Sequence, residues 1–102
     1  MPHGMRLTPN ALRVLALLYH GPDQHYGLSL SRALNLGSGT LYPILDKLED
    51  AGLLTATWED IDPHVAGRRP RRFYTLTGEG MHTFERERNS LLVTLQGGVH
   101  HA

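Results

Sequence analysis

Residues 37–54 read GSGTLYPILDKLEDAGLL, and no other stretch constrains the fold as tightly. Leu41, Ile44, Leu45 and Leu48 recur at helical spacing, and Ala51, Leu53 and Leu54 carry the apolar line onward. Thr40, Tyr42, Pro43, Asp46, Lys47, Glu49 and Asp50 fall around that line as a polar, partly aromatic face. Gly52 stops the helix; a short alternating segment and an arginine-rich hairpin follow. Amphipathic helix, glycine stop, strand and basic hairpin form a surface suited to reading DNA.

The 102 residues allow one domain with a modest core, and terminal helices on so short a chain often complete their burial by pairing. With no cysteine, disulfides, Cys-based zinc sites and thiol chemistry are excluded. No run approaches the roughly 20 apolar residues of a membrane span. The opening MPHGMR lacks the pattern of a signal peptide. A cytoplasmic protein without a membrane partner is therefore expected. Formal charge is zero, so any polyanion surface must be local. The hairpin shows such a concentration: acids gather at Glu59, Asp60 and Asp62, and Arg68, Arg69, Arg71 and Arg72 follow.

Thr8-Pro9 opens a first helix, with a capping hydroxyl followed by a residue that has no N–H to strand. Leu12, Leu15, Ala16 and Tyr19 form its stripe, widened by Val14, Leu17 and Leu18. So apolar a helix is either covered by a second subunit or central to the core. Gly21-Pro22-Asp23 is a turn, and a short helix covers Gly27–Leu34. Helix, short helix, turn and helix match the helix-turn-helix layouts. The third helix is expected to start at Gly39 or Thr40, so that Pro43 falls in its first turn. Leu53–Glu59 and Arg71–Leu76 are paired strands around a turn-rich Asp60–Pro70 loop, long for a purely structural hairpin. Thr77 caps a last helix running to about Gln96, with Glu79 suited to its first turn.

Tyr26-Gly27, Gly39-Thr40-Leu41-Tyr42-Pro43, Leu45, Leu48-Glu49, Ala51-Gly52-Leu53-Leu54, Gly67-Arg68, Arg71-Arg72, Tyr74, Leu76-Thr77 and Gly80 form an ordered series. In it the chain resembles the PadR-like transcriptional regulators over roughly residues 9–80. The resemblance implies a mainly α fold with a small β-hairpin: a winged helix-turn-helix with terminal dimerisation helices. With the chain-order reading this divides the sequence into a flexible arm over 1–7, a winged-helix DNA-binding domain over 8–76, a C-terminal dimerisation helix over 77–96 and a flexible tail over 97–102. The resemblance also implies a homodimeric repressor on a pseudo-palindromic double-stranded operator, released by a small aromatic or hydrophobic effector. Two departures stand out. The last helix is single and short, and the loop reads Gly67-Arg68-Arg69-Pro70, one residue displaced from the commoner Gly-Arg-Pro spacing.

The expected DNA contacts are Ser38, Thr40, Tyr42 and Lys47 on the third helix and Arg68 and Arg69 on the wing. Hydroxyls bond phosphates or base edges, lysine adds a point charge, and guanidinium suits phosphate and narrow minor grooves. Structurally, Ser38 and Thr40 could instead cap the helix and Tyr42 could pack. Arg71 and Arg72 alternate across a strand, so one of them is expected to clamp the body through Glu49 or Asp50 instead. The dimerisation set is Leu12, Leu15, Tyr19, Met81, Phe84, Arg88, Leu91, Leu92 and Leu95. Trp58, Tyr19 and Phe84 read first as packing residues, and no effector-binding residue is assigned. The seven histidines lack zinc spacing, Gly37-Ser38-Gly39-Thr40 lacks the rest of a P-loop, and no Ser/His/Asp triad is paired. No metal, cofactor or enzymatic activity is expected. The rival readings are a protein-interaction adaptor on the same scaffold and a small-molecule sensor with a secondary DNA role.

Overall fold

The computed structural model describes residues 7–21 and 24–100. Its order is α1 (Pro9–His20), β1 (His25–Tyr26), α2 (Gly27–Leu34), α3 (Ser38–Asp50), β2 (Leu54–Trp58), α4 (Pro63–Ala66), β3 (Arg72–Leu76) and α5 (Gly78–His100). Residues 1–6 of the expected arm, Pro22 and Asp23 of the expected turn, and 101–102 of the expected tail lie outside the described residues.

Helix α1 starts as its sequence requires. Thr8 Oγ1 accepts the Ala11 N–H at 3.1 Å, and Pro9 occupies the first turn. Val14 and Leu15 are fully buried, so the stripe of α1 is spent inside this chain. Arg13 Nη2 donates to the Leu34 carbonyl at 2.6 Å and ties α1 to the end of α2. Helix α2 ends on Asn35 in the left-handed region (φ 55°), which polar side chains tolerate best after glycine, and the chain turns into α3.

The start of α3 corrects the expectation. Leu41 and Thr40 N–H both donate to the Gly37 carbonyl, at 2.9 and 3.1 Å, so the helix begins at Ser38 and Pro43 lies inside it. Proline at 43 removes a bond to the Gly39 carbonyl. Gly39 is exposed and has open space about its Cα, so water can serve that carbonyl. Leu41, Leu45 and Leu48 are fully buried, each contributing about 1.5–3 kcal/mol by leaving water. At the other end Gly52 (φ 79°) gives the left-handed stop: Gly52 N–H donates to Glu49 O and Leu53 N–H to Leu48 O, each at 2.9 Å.

The hairpin pairs Leu54 with Leu76 through Trp58 with Arg72. A third strand joins it: β1 lies antiparallel to β3, His25 opposite Tyr74 and Tyr26 opposite Phe73, giving the order β1-β3-β2. Leu54, Leu53 and Tyr74 close the core under α1 and α3. The loop between β2 and β3 contains a feature absent from the sequence reading, the one-turn α4, capped by Asp62 Oδ1 accepting the His64 N–H at 2.9 Å and ended by Gly67 at φ 71°.

Thr77 Oγ1 accepts the Gly80 N–H at 2.9 Å and donates to the Gly52 carbonyl at 2.7 Å, anchoring the start of α5. The helix backbone continues to His100, past the expected end at Gln96. Tyr19 and Phe84 stack with centroids 4.7 Å apart, and Tyr19 Oη donates to Glu85 at 2.7 Å. That carboxylate bond pushes the Tyr19 phenol above its ordinary pKa. Among the described residues, no helix is long and apolar enough to cross a membrane.

Candidate nucleic-acid interface

Because Leu41, Leu45 and Leu48 turn inward, the opposite face of α3 must carry Ser38, Gly39, Thr40, Tyr42, Pro43, Asp46, Lys47 and Asp50, all exposed. Gly37 is the N-cap residue of α3, and neither the Ser38 nor the Thr40 hydroxyl caps it. Among the described residues, the side chains of Ser38, Thr40 and Lys47 have no hydrogen-bond partner and remain available to a ligand. Tyr42 differs. It is 44% exposed, yet its phenol end rests against the start of α2 at Gly27.

The wing divides its arginines between two jobs. Arg68 grips Glu59 with both nitrogens, Nη1 to Oε1 at 2.7 Å and Nη2 to Oε2 at 3.1 Å. The Arg71 N–H also donates to Glu59 Oε1 at 3.2 Å, and the Glu59 N–H donates to the Arg71 carbonyl at 2.7 Å. Glu59 thus closes the neck of the wing, and the Arg68 hydrogen bonds hold its carboxyl below the ordinary glutamate pKa. Arg72 binds Glu49 of α3 at 3.0 Å and lies 5.8 Å from the rings of both Trp58 and Tyr74. This is the clamp that strand alternation allowed for one of the paired arginines. Arg71, just before β3, stacks 4.3 Å over the Tyr26 ring. Arg69 is exposed and has no side-chain partner among the described residues.

Of the six expected contacts, Tyr42 therefore packs in part and Arg68 is engaged with Glu59. Ser38, Thr40, Lys47 and Arg69 are exposed and unengaged. Between α2, α3 and the wing runs an open cleft of about 430 Å³, whose lining includes Gly27, Leu28, Tyr42, Trp58, Arg71 and Arg72. Trp58 is 65% exposed there, which corrects its reading as a core residue. It follows Leu54 and Ala56 on one face of β2, but the strand outruns the helical body that covers the other two. The alternation was visible; the length of the cover was not.

The expected dimerisation residues also separate. Leu15 and Phe84 are buried within the chain, at 0% and 5% exposure, and offer no surface to a second copy. Leu12 and Tyr19 pack against the same core. Arg88 lies 5.5 Å over Tyr19 and 5.6 Å over Phe84. Met81, Leu91, Leu92 and Leu95 stay about half exposed. Among the described residues, no group of three His, Cys, Asp or Glu side chains is placed to hold a metal.

Residues 14–86 match the transcriptional regulator PadR-like family. A PadR family transcriptional regulator from Eggerthella lenta is 28% identical, with a TM-score of 0.65 over 88% of this chain and 80% of that one. A PadR-like transcription factor from Bacteroides fragilis is 24% identical, with a TM-score of 0.77 over 91% and 89%. The MepR–DNA complex of Staphylococcus aureus shares the fold at 20% identity, with a TM-score of 0.74 over 99% and 70%. No curated protein matches the chain.

Proposed function

This chain belongs to the PadR-like family of transcriptional regulators, and from that premise we propose that it is a homodimeric, sequence-specific DNA-binding repressor. The observation that carries the reading is the exposed face of α3, where Ser38, Thr40 and Lys47 lack internal partners beside a wing whose Arg69 is also unengaged. Helix α3 enters the major groove, and the wing follows the adjacent backbone. The apolar stripe that buries Phe84 continues along α5 as Leu91, Leu92 and Leu95, which nothing among the described residues covers. A second copy completes it, setting two α3 helices on half-sites roughly 34–36 Å apart. Repression is by blocking a promoter, and a small aromatic or hydrophobic effector releases the operator by changing the spacing.

The test is selection of duplexes from a random library, followed by binding anisotropy on a selected and a scrambled duplex over a salt series. Preference for the selected duplex, with affinity falling linearly on a logarithmic salt axis, supports the reading. Arg69→Ala is expected to weaken both complexes and reduce the salt slope by about one, as loss of a phosphate contact does. Arg68→Ala acts through the neck of the wing instead. An adaptor that binds proteins is the second reading, favoured by exposed Asp46 and Asp50 on α3 and by the pairing of Arg68 and Arg72 with carboxylates. Enrichment of no duplex at any salt would transfer the assignment to it.

A further inference from the structure

Gly27 is buried at the first position of α2, yet its backbone does not require glycine: the left-handed residues among those described are Asn35, Gly52 and Gly67. What excludes a side chain is Tyr42. A Cβ on Gly27 would lie 1.9 Å from the Tyr42 hydroxyl oxygen, 2.7 Å from Cζ and 3.1 Å from Cε1. The phenol of the α3 residue thus occupies the space a side chain on α2 would fill. The same ring is 44% exposed on the cleft shared with Trp58, Arg71 and Arg72, and its hydroxyl has no hydrogen bond to another described residue.

We infer that Gly27 is a positioning residue for DNA reading: its missing side chain seats Tyr42, and the seated ring determines which duplexes α3 accepts. The inference rests on the proposed function. A ring lodged against α2 is ordered before DNA arrives, so its ordering does not have to be met on binding. A side chain at 27 displaces the ring from the seat, so that it no longer meets the base edges from a fixed position, while the phosphate contacts common to all duplexes are untouched. The atoms that must yield are the free end of a half-exposed side chain, so the backbone can stay where it is. Alanine is also the better helix former, which separates the effect on reading from any effect on folding.

The experiment compares wild type, Gly27→Ala, Tyr42→Ala and the double variant on a duplex selected by the wild type from a random library and on a scrambled duplex. Melting of each protein, and the nuclear Overhauser contact between Gly27 Hα and the Tyr42 ring in the free wild type, are recorded alongside. Gly27→Ala is expected to lower affinity for the selected duplex about tenfold, the size of one lost specific contact. Affinity for the scrambled duplex and the melting temperature should hold. In the Tyr42→Ala background, Gly27→Ala should cost nothing further. Wild-type affinity and selectivity in Gly27→Ala, or an equal loss with and without Tyr42, would overturn the inference. Absence of the Gly27–Tyr42 contact would overturn the seat itself. A wild type that shows the contact but prefers no duplex contradicts the proposed function, and with it the role given to the seat, while leaving the packing intact.

Discussion

The two halves of α5 carry the same apolar stripe and meet opposite circumstances. In the inner half, Gly80 is buried against Leu53 and Leu76, Phe84 is 5% exposed, and Glu85 holds Tyr19. In the outer half, Leu91, Leu92 and Leu95 are 50%, 49% and 57% exposed along the same line. The helix is one piece, but its cover ends with α1. Helical periodicity therefore identifies a face without identifying what lies on it. The difference separates the halves: the inner half belongs to the fold, and the outer half is the face on which the proposed second copy rests.

The sharpest way to break the comparison is Phe84→Ala against Leu91→Ala. The first opens a cavity beneath Tyr19 and is expected to cost about 3–5 kcal/mol in urea denaturation. The second, measured where the protein is dilute enough to be monomeric, should fall within about 0.5 kcal/mol of wild type. Equal losses would mean that the outer half is also folded into the chain's own core. Next comes Leu91→Asp, which places a charge in the proposed interface. It should weaken self-association by about 2–4 kcal/mol, the scale of an interface hot spot, seen as a shift from dimer to monomer mass by light scattering. An unchanged mass would remove Leu91 from the interface.

Gly80→Ala sharpens the inner half. Its Cβ would lie 2.1 Å from the Leu53 carbonyl oxygen, a backbone atom that cannot swing aside, so a loss of about 1–3 kcal/mol is expected by thermal melting. Gly27 makes a useful contrast, because there the obstructing atoms belong to a movable side chain. The smallest effect lies away from both halves, at Glu59. Its folded pKa is lowered, so the stabilisation from Arg68 is complete above the ordinary glutamate range and is lost as the pH falls through the lower folded value. The melting difference between wild type and Glu59→Gln should therefore shrink below about pH 4. A gap that widened in acid would contradict the assignment.

Local signals were the legible ones. Thr8-Pro9, the leucine spacing of α3 and the glycine at 52 each act within a turn or two, and each element formed where those signals lie. Pro43 misled because its usual penalty was applied without the exposed glycine at 39 that makes it tolerable. Strand β1 is two residues long, too short to show alternation, and exists because β3 offers it an edge. Strand alternation pointed to a clamp on Glu49 or Asp50, and Arg72 makes it with Glu49; the grip of Arg68 on Glu59, nine residues away across the wing, is reported by no local pattern. The fit of Tyr42 to Gly27 belongs to the same class: both residues were visible in the ordered series, and their contact was not.

The central claim is that this regulator reads DNA as a pair held through the outer half of α5. Sedimentation equilibrium of the wild-type protein, alone and with a selected duplex, tests it most directly. The account predicts a dimer in the free state and two chains on each duplex. A monomer alone that loads singly onto the duplex would contradict it.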